Sequence, residues 1–414
     1  NNWSMVAENL KRFFPWSLFL IGLVLVVRDQ LIVPFIILSF ICSIPLWEKP
    51  NPDRRFVPLF GLMLFFLWYL VGMAYSENMS YGWRDVESKL SFFLFPLLLL
   101  MTSKSWTTEH VSKAKYGLVV GVILSLMLSF GRAFLCKVQG GEICFRNDQF
   151  GFNMHATYLS VMYTMSVFFV FEMKTAIKRE WIFKIMYLLV IFLALYFLRS
   201  LSSFVAAVVL GTGTYIWYMI TRKKWIMLSI IPILFIVGSM ALEKMPAVQG
   251  EVKKTIETVE DYQNNPDDFI RRKVNWNESN TVRIVVWNFS WEIISDKPMG
   301  VGTGDVKDEL YRVYRAHGYD LFAEKELNPH NQFFQTGISI GVGAMLLLLF
   351  ILLAPLIFAK GSFDPVQLAF LILVFITCLF ESFLERQAGI IFFAFMLITF
   401  VGQQIITKKA DIKE

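Results

Sequence analysis

Residues Asn328–Phe358 read NPHNQFFQTGISIGVGAMLLLLFILLAPLIF, with no charged side chain anywhere in the run. A helix over 331–358, rising about 1.5 Å per residue, is long enough to cross the roughly 30 Å hydrocarbon layer of a bilayer. Lipid offers backbone N–H and C=O groups no partners, so a crossing segment must satisfy them internally, and such apolar runs can be counted directly as helices. Working outward, eleven more are predicted at 14–27, 31–47, 56–74, 89–102, 116–135, 153–172, 181–198, 203–220, 225–242, 366–383 and 388–406. The first and fourth are short. The expected fold class is all-α, an integral membrane protein of about twelve transmembrane helices with one large helical loop.

Composition agrees. Of 414 residues, 56% are hydrophobic and 17% charged, with 41 Phe and a mean hydropathy of +0.54, whereas soluble domains carry roughly 25% charge. The net charge of +6 does not point to nucleic acid, because no basic stretch is interleaved with stacking aromatics. The Lys and Arg fall instead in short clusters between apolar runs, where they act as topology signals. Lys11, Arg12; Lys49, Arg54, Arg55; Lys104, Lys113, Lys115; Lys174, Lys178, Arg179; Arg222, Lys223, Lys224; Lys360; and Lys408, Lys409, Lys413 all fall on one side of the predicted topology. That side is expected to be cytoplasmic, with both termini on it. The first residues show no cleavable signal pattern, so the first run is expected to remain a membrane helix.

Three regions follow: helices one to nine over 1–242, a large periplasmic loop over 243–329, and helices ten to twelve over 330–414. The loop reads as structured. Residues 250–263 are a polar helix candidate, Val282, Val285, Phe289 and Ile293 recur at helical spacing, and 305–315 can be helical again. No period of 20 to 50 residues links the two halves of the chain, which weakens a transporter built on repeats. Cys42 and Cys378 sit in apolar runs as small hydrophobes. Cys136 and Cys144 share a short polar loop, and a disulfide is open to them if that loop faces an oxidising periplasm.

The strongest local chemistry lies at Asn328-Pro329-His330-Asn331-Gln332, with Gln335 one turn on. Asn328 suits an N-cap and Pro329 the first helical position, which puts His330 and Asn331 in the first turn, where the helix dipole favours a neutral imidazole able to accept a proton. The alternative is an interfacial histidine that merely ends a loop. Arg283 and Trp287 are four apart on one helix face, so an indole can pack under a guanidinium whose fork stays free for an anion, or the two can be an ordinary surface pair. The turn from Pro298 to Gly304, with Gly302 and Gly304, can bring backbone N–H groups to a phosphate, but it lacks the spacing and lysine of a P-loop. Arg199, Arg386, and Arg84 with Lys89 lie at outer helix ends. Singly each reads as a snorkelling anchor; together on the His330 face they suit a lipid diphosphate, with Glu381 and Glu385 as available counter-charges. No His/Cys cluster and no Asp-x-Asp lies near an outer helix end, so neither a metal nor another cofactor is indicated.

Arg283 and Trp287, Pro298 to Gly304, Pro329-His330-Asn331-Gln332 with Gln335, and Gly341 and Gly343 together resemble the signature region of the O-antigen ligase and polymerase superfamily. The likeness is specific over about 280–345. Lys89 to Leu100, His155 with Tyr158, Leu198-Arg199-Ser200 and the Glu381 to Gly389 stretch are similar to its pattern more weakly. The resemblance implies an inverting, metal-independent glycosyltransferase of the bacterial inner membrane, with its active site facing the periplasm. Its donor would be an undecaprenyl-diphosphate-linked glycan and its acceptor a hydroxyl of lipid A-core; in polymerases the acceptor is another carrier-linked repeat, and in related enzymes a protein Ser or Thr. His330 would assist the acceptor hydroxyl, Arg283 and Arg199, with Arg386 or Lys89, would hold the diphosphate, and Trp287, Asn331, Gln332, Gln335, Gly302 and Gly304 would support them. A lipid-linked glycan transporter is the non-enzyme alternative. It predicts charges deep in the bilayer, whereas the conspicuous charges here lie at helix ends.

Overall fold

The computed structural model of the chain describes residues 2–151, 154–173, 179–200, 256–265, 268–269, 279–359 and 364–411. All regular structure among them is helical. In chain order the helices are α1 (Asn2–Val27), α2 (Val33–Ser43), α3 (Val57–Met73), α4 (Met79–Lys89), α5 (Ser91–Thr102), α6 (Thr108–Val138), the single turn α7 (Asn147–Phe150), α8 (Ala156–Glu172) and α9 (Glu180–Leu198). After the loop's first part come α10 (Ser279–Asp296), α11 (Val306–Ala316), α12 (Asp320–Glu324), α13 (Gln332–Ile340), α14 (Val342–Phe358), α15 (Pro365–Phe380) and α16 (Gln387–Asp411).

Among the described residues five helices are long and apolar enough to cross a membrane, Trp3–Val27, Arg54–Met73, Thr108–Val138, Glu180–Leu198 and Gln387–Thr407, and several shorter apolar ones accompany them. The helices expected at 203–220 and 225–242 lie outside the described residues. Residues 388–402 of α16 are buried on every side, as a helix that is apolar all round must be. Phe393 packs on Phe92 and Phe370, and Phe395 on Phe95. Small residues let α1 and α6 approach closely: a Cβ on Gly117 would lie 2.0 Å from the Phe19 carbonyl oxygen, the close contact that drives helix association where no hydrophobic effect operates.

Two expectations need correction, and one segment outside the predicted helices is helical. The run 331–358 is not one helix; it breaks at Gly341, whose φ of +89° and ψ of 174° no L side chain adopts without strain. The break seats the 298–304 turn: the Val342 N–H donates to the Pro298 oxygen at 2.9 Å, and a Cβ on Gly341 would lie 2.6 Å from that oxygen. The segment before the fourth predicted helix is itself a helix, α4, capped by Asn78, whose side chain accepts from the Tyr81 N–H. The first helix begins well before residue 14, at Asn2.

Contacts sort the helix ends into two sets. At one end Arg55 donates to the Gln404 oxygen at 2.9 Å, the Glu48 N–H donates to the Met101 oxygen at 3.0 Å, and Lys115 reaches Glu172 and Gln403. At the other, α4, the start of α13 and the connection from α15 to α16 come together, and the loop helices α10 to α12 stand over them. Val282, Val285, Phe289 and Ile293 are buried as their spacing predicts, in a separate apolar core with Leu310, Tyr314 and Phe322 that closes on Ile338 of α13. At this end also, Cys136 and Cys144 are joined by a disulfide between α6 and α7.

Candidate functional site

His330 does not lie in the first turn of a helix. Asn331 is the N-cap of α13: its Oδ1 accepts from the Phe333 and Phe334 N–H groups at 2.9 and 3.1 Å, while its Nδ2 donates to the Leu379 oxygen at 3.1 Å. Asn328 holds the preceding turn, accepting from the His330 N–H at 2.9 Å. His330 thus sits between two asparagine turns in the left-handed region, with φ of 45°. For a residue other than glycine that conformation costs about 1–3 kcal/mol and persists only where the surroundings impose it.

The His330 ring is 38% exposed, and its Nδ1 lies 3.1 Å from Glu381 Oε1. Glu381 follows α15 directly, and its side chain is only 15% exposed. Burial pushes this carboxyl up, but the hydrogen bond and charge of His330, then the charges of His155 and Arg283, outweigh burial and hold its pKa below the ordinary carboxylate value. An ionised Glu381 can only accept, so Nδ1 donates in this contact, and in the neutral tautomer that this selects Nε2 is the acceptor nitrogen. The same balance puts Arg283 and His155 within electrostatic range of Glu381, although the four residues span most of the sequence.

Arg283 lies on α10, partly buried. Trp287, one turn later, is not stacked beneath it among the described residues. The indole Nε1–H donates instead to the Pro329 oxygen at 2.8 Å, and the ring packs on Phe334. Trp287 therefore fixes the loop helix against the turn that carries His330.

Lys89 departs furthest from its expected place at the diphosphate. Its side chain is 0% exposed and its ammonium is engaged by Asp85 and by Glu385, the latter at 3.0 Å, with the Tyr69 ring 4.5 Å away. Glu385 also accepts from Gln332 Nε2 at 3.0 Å, and Gln332 Oε1 accepts from the Leu384 N–H at 2.6 Å. Lys89, Asp85, Glu385 and the fully buried Gln332 form a brace beneath the His330 turn. A lysine with two buried carboxylates has no spare charge for a ligand.

The glycine turn is likewise occupied. The Val301 and Gly302 N–H groups donate to the Ile338 and Ser339 oxygens at 2.8 and 2.9 Å, and the Gly304 N–H donates to Ser76 Oγ at 3.0 Å. Gly302 and Gly304 therefore lock the loop onto α13 and the connection that follows α3, and their amides are not presented to a phosphate. Arg386 is exposed, with Asp29 in electrostatic range. Arg199 terminates α9 in the left-handed conformation and is exposed; no contact joins it to His330 or Glu381 among the described residues.

The geometry brings together His330, Glu381, Arg283 and His155, braced by Asn331, Gln332, Trp287 and the buried lysine. Asp85 was the residue missed in sequence; its signal was the i, i+4 spacing to Lys89 on an amphipathic segment opened by Asn78.

The model of the family described as O-antigen ligase matches residues 185–351, a span that includes Arg199, Arg283, Trp287, the glycine turn and His330 to Gln335 and stops short of Glu381. Members of that family are membrane glycosyltransferase-like enzymes, ligases or polymerases. No curated protein matches the chain.

Proposed function

We propose, with the O-antigen ligase family domain over residues 185–351 as the premise, that the protein is an inverting, metal-independent glycosyltransferase of the bacterial inner membrane. It moves a glycan from undecaprenyl diphosphate to a hydroxyl of lipid A-core on the periplasmic face. The observation that carries this reading is the His330–Glu381 pair with Arg283 in electrostatic range, at the end of the bundle opposite the one where Arg55 and Lys115 lie. The acceptor oxygen bonds to the anomeric carbon as the carbon–oxygen bond to the diphosphate breaks. The hydroxyl proton passes to His330 Nε2, and the bonding electrons leave with the carrier diphosphate, whose growing negative charge Arg283 offsets, aided by the exposed Arg386 and Arg199. Glu381 stabilises the imidazolium that forms, as the carboxylate does in a Ser-His-Asp triad.

The topology of about twelve spans, with both termini cytoplasmic and the loop periplasmic, belongs to the same reading and rests on the clustering of Lys and Arg. A polymerase would share the donor chemistry and differ in acceptor. A transporter would use the helix break at Gly341 to line a passage; the hydrogen bond from Val342 to Pro298 favours a packing role for that break.

The test supplies purified full-length protein with carrier-linked glycan and either lipid A-core or carrier-linked glycan alone. Transfer to lipid A-core, lost in His330→Ala and reduced about 10²-fold or more in Arg283→Lys, is the expected result. Chain growth on the carrier alone would reassign the protein as a polymerase, and near-normal turnover by His330→Ala would remove the imidazole from the mechanism.

A further inference from the structure

At the end of the bundle opposite His330, a cavity of about 500 Å³ lies between the first turns of α6, the end of α8 and the end of α16, a size within the roughly 300–1,000 Å³ of small-molecule sites. Thr108, Val111, Ser112, Lys115 and Tyr116 line it from α6, at the spacing of three and four that shares one helix face. Its depth in the membrane follows from the helices that form it. α6 has 31 residues, and at about 1.5 Å per residue it is as long as a bilayer with its headgroup layers, roughly 40–45 Å. The cavity occupies the first turns of that helix and the last turn of the Gln387–Thr407 span, which puts it at headgroup depth. On the neighbouring face of α6 the Lys113 ammonium lies 3.3 Å from the ring of the exposed Trp16, the company of basic and aromatic side chains that marks a membrane interface.

The polar groups here leave particular valences open. The Lys115 ammonium donates to Glu172 Oε2 at 2.8 Å and to Gln403 Oε1 at 2.9 Å, with the Phe169 and Phe400 rings 5.3 and 5.4 Å away. One of its three donors is therefore unused. Gln403 Nε2, the Ser112 hydroxyl and Glu172 Oε1 likewise have no hydrogen-bond partner among the described residues. The side chains of Lys115 and Glu172 keep 10% and 34% exposure, so a ligand in the cavity can reach both. Phe169, Met173 and Ile406 supply an apolar wall. The open valences are thus donors grouped at a lysine and an acceptor on a carboxylate beside it, and the complementary ligand carries an anionic acceptor and a cationic donor close together. An anion alone would bring a second negative charge to a lysine that Glu172 already neutralises. A hydrocarbon chain alone would cover the ion pair and satisfy nothing. A phosphate joined by a short link to a primary ammonium satisfies both groups, and the glycerol and acyl chains that follow it suit the apolar wall.

We propose that this cavity binds the headgroup of one membrane phospholipid of the phosphatidylethanolamine type, with the phosphate on Lys115, Ser112 and Gln403 and the ammonium on Glu172. The lipid then joins α6, α8 and α16 at the end away from His330, as a structural component of the bundle. The proposal is independent of the transferase reading, since none of these side chains belongs to the His330 site.

The test uses delipidated full-length protein in detergent, titrated with phosphatidylethanolamine, phosphatidylcholine or phosphatidylglycerol and read by native mass spectrometry and thermal melting. Phosphatidylcholine has the same charges but no N–H on its nitrogen, and phosphatidylglycerol has the phosphate without the cation. The wild type is expected to retain one phosphatidylethanolamine about tenfold more tightly than either, the effect of one hydrogen bond to a charged group, and to melt higher with it. Glu172→Gln keeps the side chain's shape and should lose the preference over phosphatidylcholine, while Ser112→Phe should fill the cavity and abolish retention. Equal affinity of the wild type for all three lipids, or a preference unchanged in Glu172→Gln, overturns the proposal. Soluble glycerophosphoethanolamine should compete only weakly because it leaves the apolar wall uncovered; competition at the lipid's own concentration would overturn the assignment to a lipid. Should Ser112→Phe fail to fold, the lipid preference of the wild type and its loss in Glu172→Gln decide the question.

Discussion

Replacing Glu381 by Gln keeps the side chain's shape and removes its charge, so it isolates what the carboxylate does for His330. At 3.1 Å from Nδ1, the carboxylate makes a hydrogen bond of the charged kind, worth about 1.5–3 kcal/mol. The imidazole is 38% exposed, and water screens part of the interaction, which places the loss at about 1.5 kcal/mol, close to tenfold in rate. The amide can also rotate and offer its NH₂ to Nδ1, which would leave the proton on Nε2, the nitrogen required to be free. That second loss takes the expected fall in kcat to between about tenfold and a hundredfold, with KM for the carrier-linked glycan unchanged where Glu381 acts only through the imidazole. Steady-state transfer assays on wild type, Glu381→Gln, His330→Ala and the double variant close a cycle. If the carboxylate acts through the imidazole, Glu381→Gln has no further effect once His330 is Ala. Additive losses in the double variant, or wild-type kcat in the single one, would refute the orienting role.

The Lys89 brace predicts an effect on stability, not on carrier affinity. Lys89→Met leaves Asp85 and Glu385 as buried charges without their counter-ion and should cost about 3–5 kcal/mol, read as a lowered melting midpoint in detergent. Adding Asp85→Asn should recover part of it, and a Lys89→Met protein that melts normally but loses donor affinity would restore the lysine to the diphosphate site. In the loop, hydrogen bonds from Arg312 and Lys297 outweigh burial and hold Glu309 down at about 2, against an ordinary 4.5. A depressed carboxylate stabilises fully above its unfolded value and loses that contribution as pH falls toward the folded one. The gap in melting midpoint between wild type and Glu309→Gln should therefore be constant above pH 4.5 and shrink between pH 4.5 and 2; a gap that does not change with pH would show that the charge plays no part.

The helical character of this chain, its membrane nature and the short motif carrying His330 are properties of local sequence. Apolar runs long enough to cross a bilayer admit hardly any structure but helix, because lipid cannot pair a bare backbone. The burial of Val282, Val285, Phe289 and Ile293 follows from their spacing. A motif contiguous from Asn328 to Gln335 is visible without coordinates. The tertiary structure alone decided what those residues face. Glu381 lies 51 residues from His330, and Glu385 lies 296 from Lys89, and no periodicity reports a contact at such separations. The break at Gly341 depends on a turn forty residues upstream seeking a place to dock, and a glycine inside an apolar run gives no sign of that. Lys89 reads in sequence as an anion-binding cation and in the fold as a buried cation with two carboxylate partners. Whether a charge is available to a ligand depends on its neighbours in space, which the order of residues along the chain does not specify.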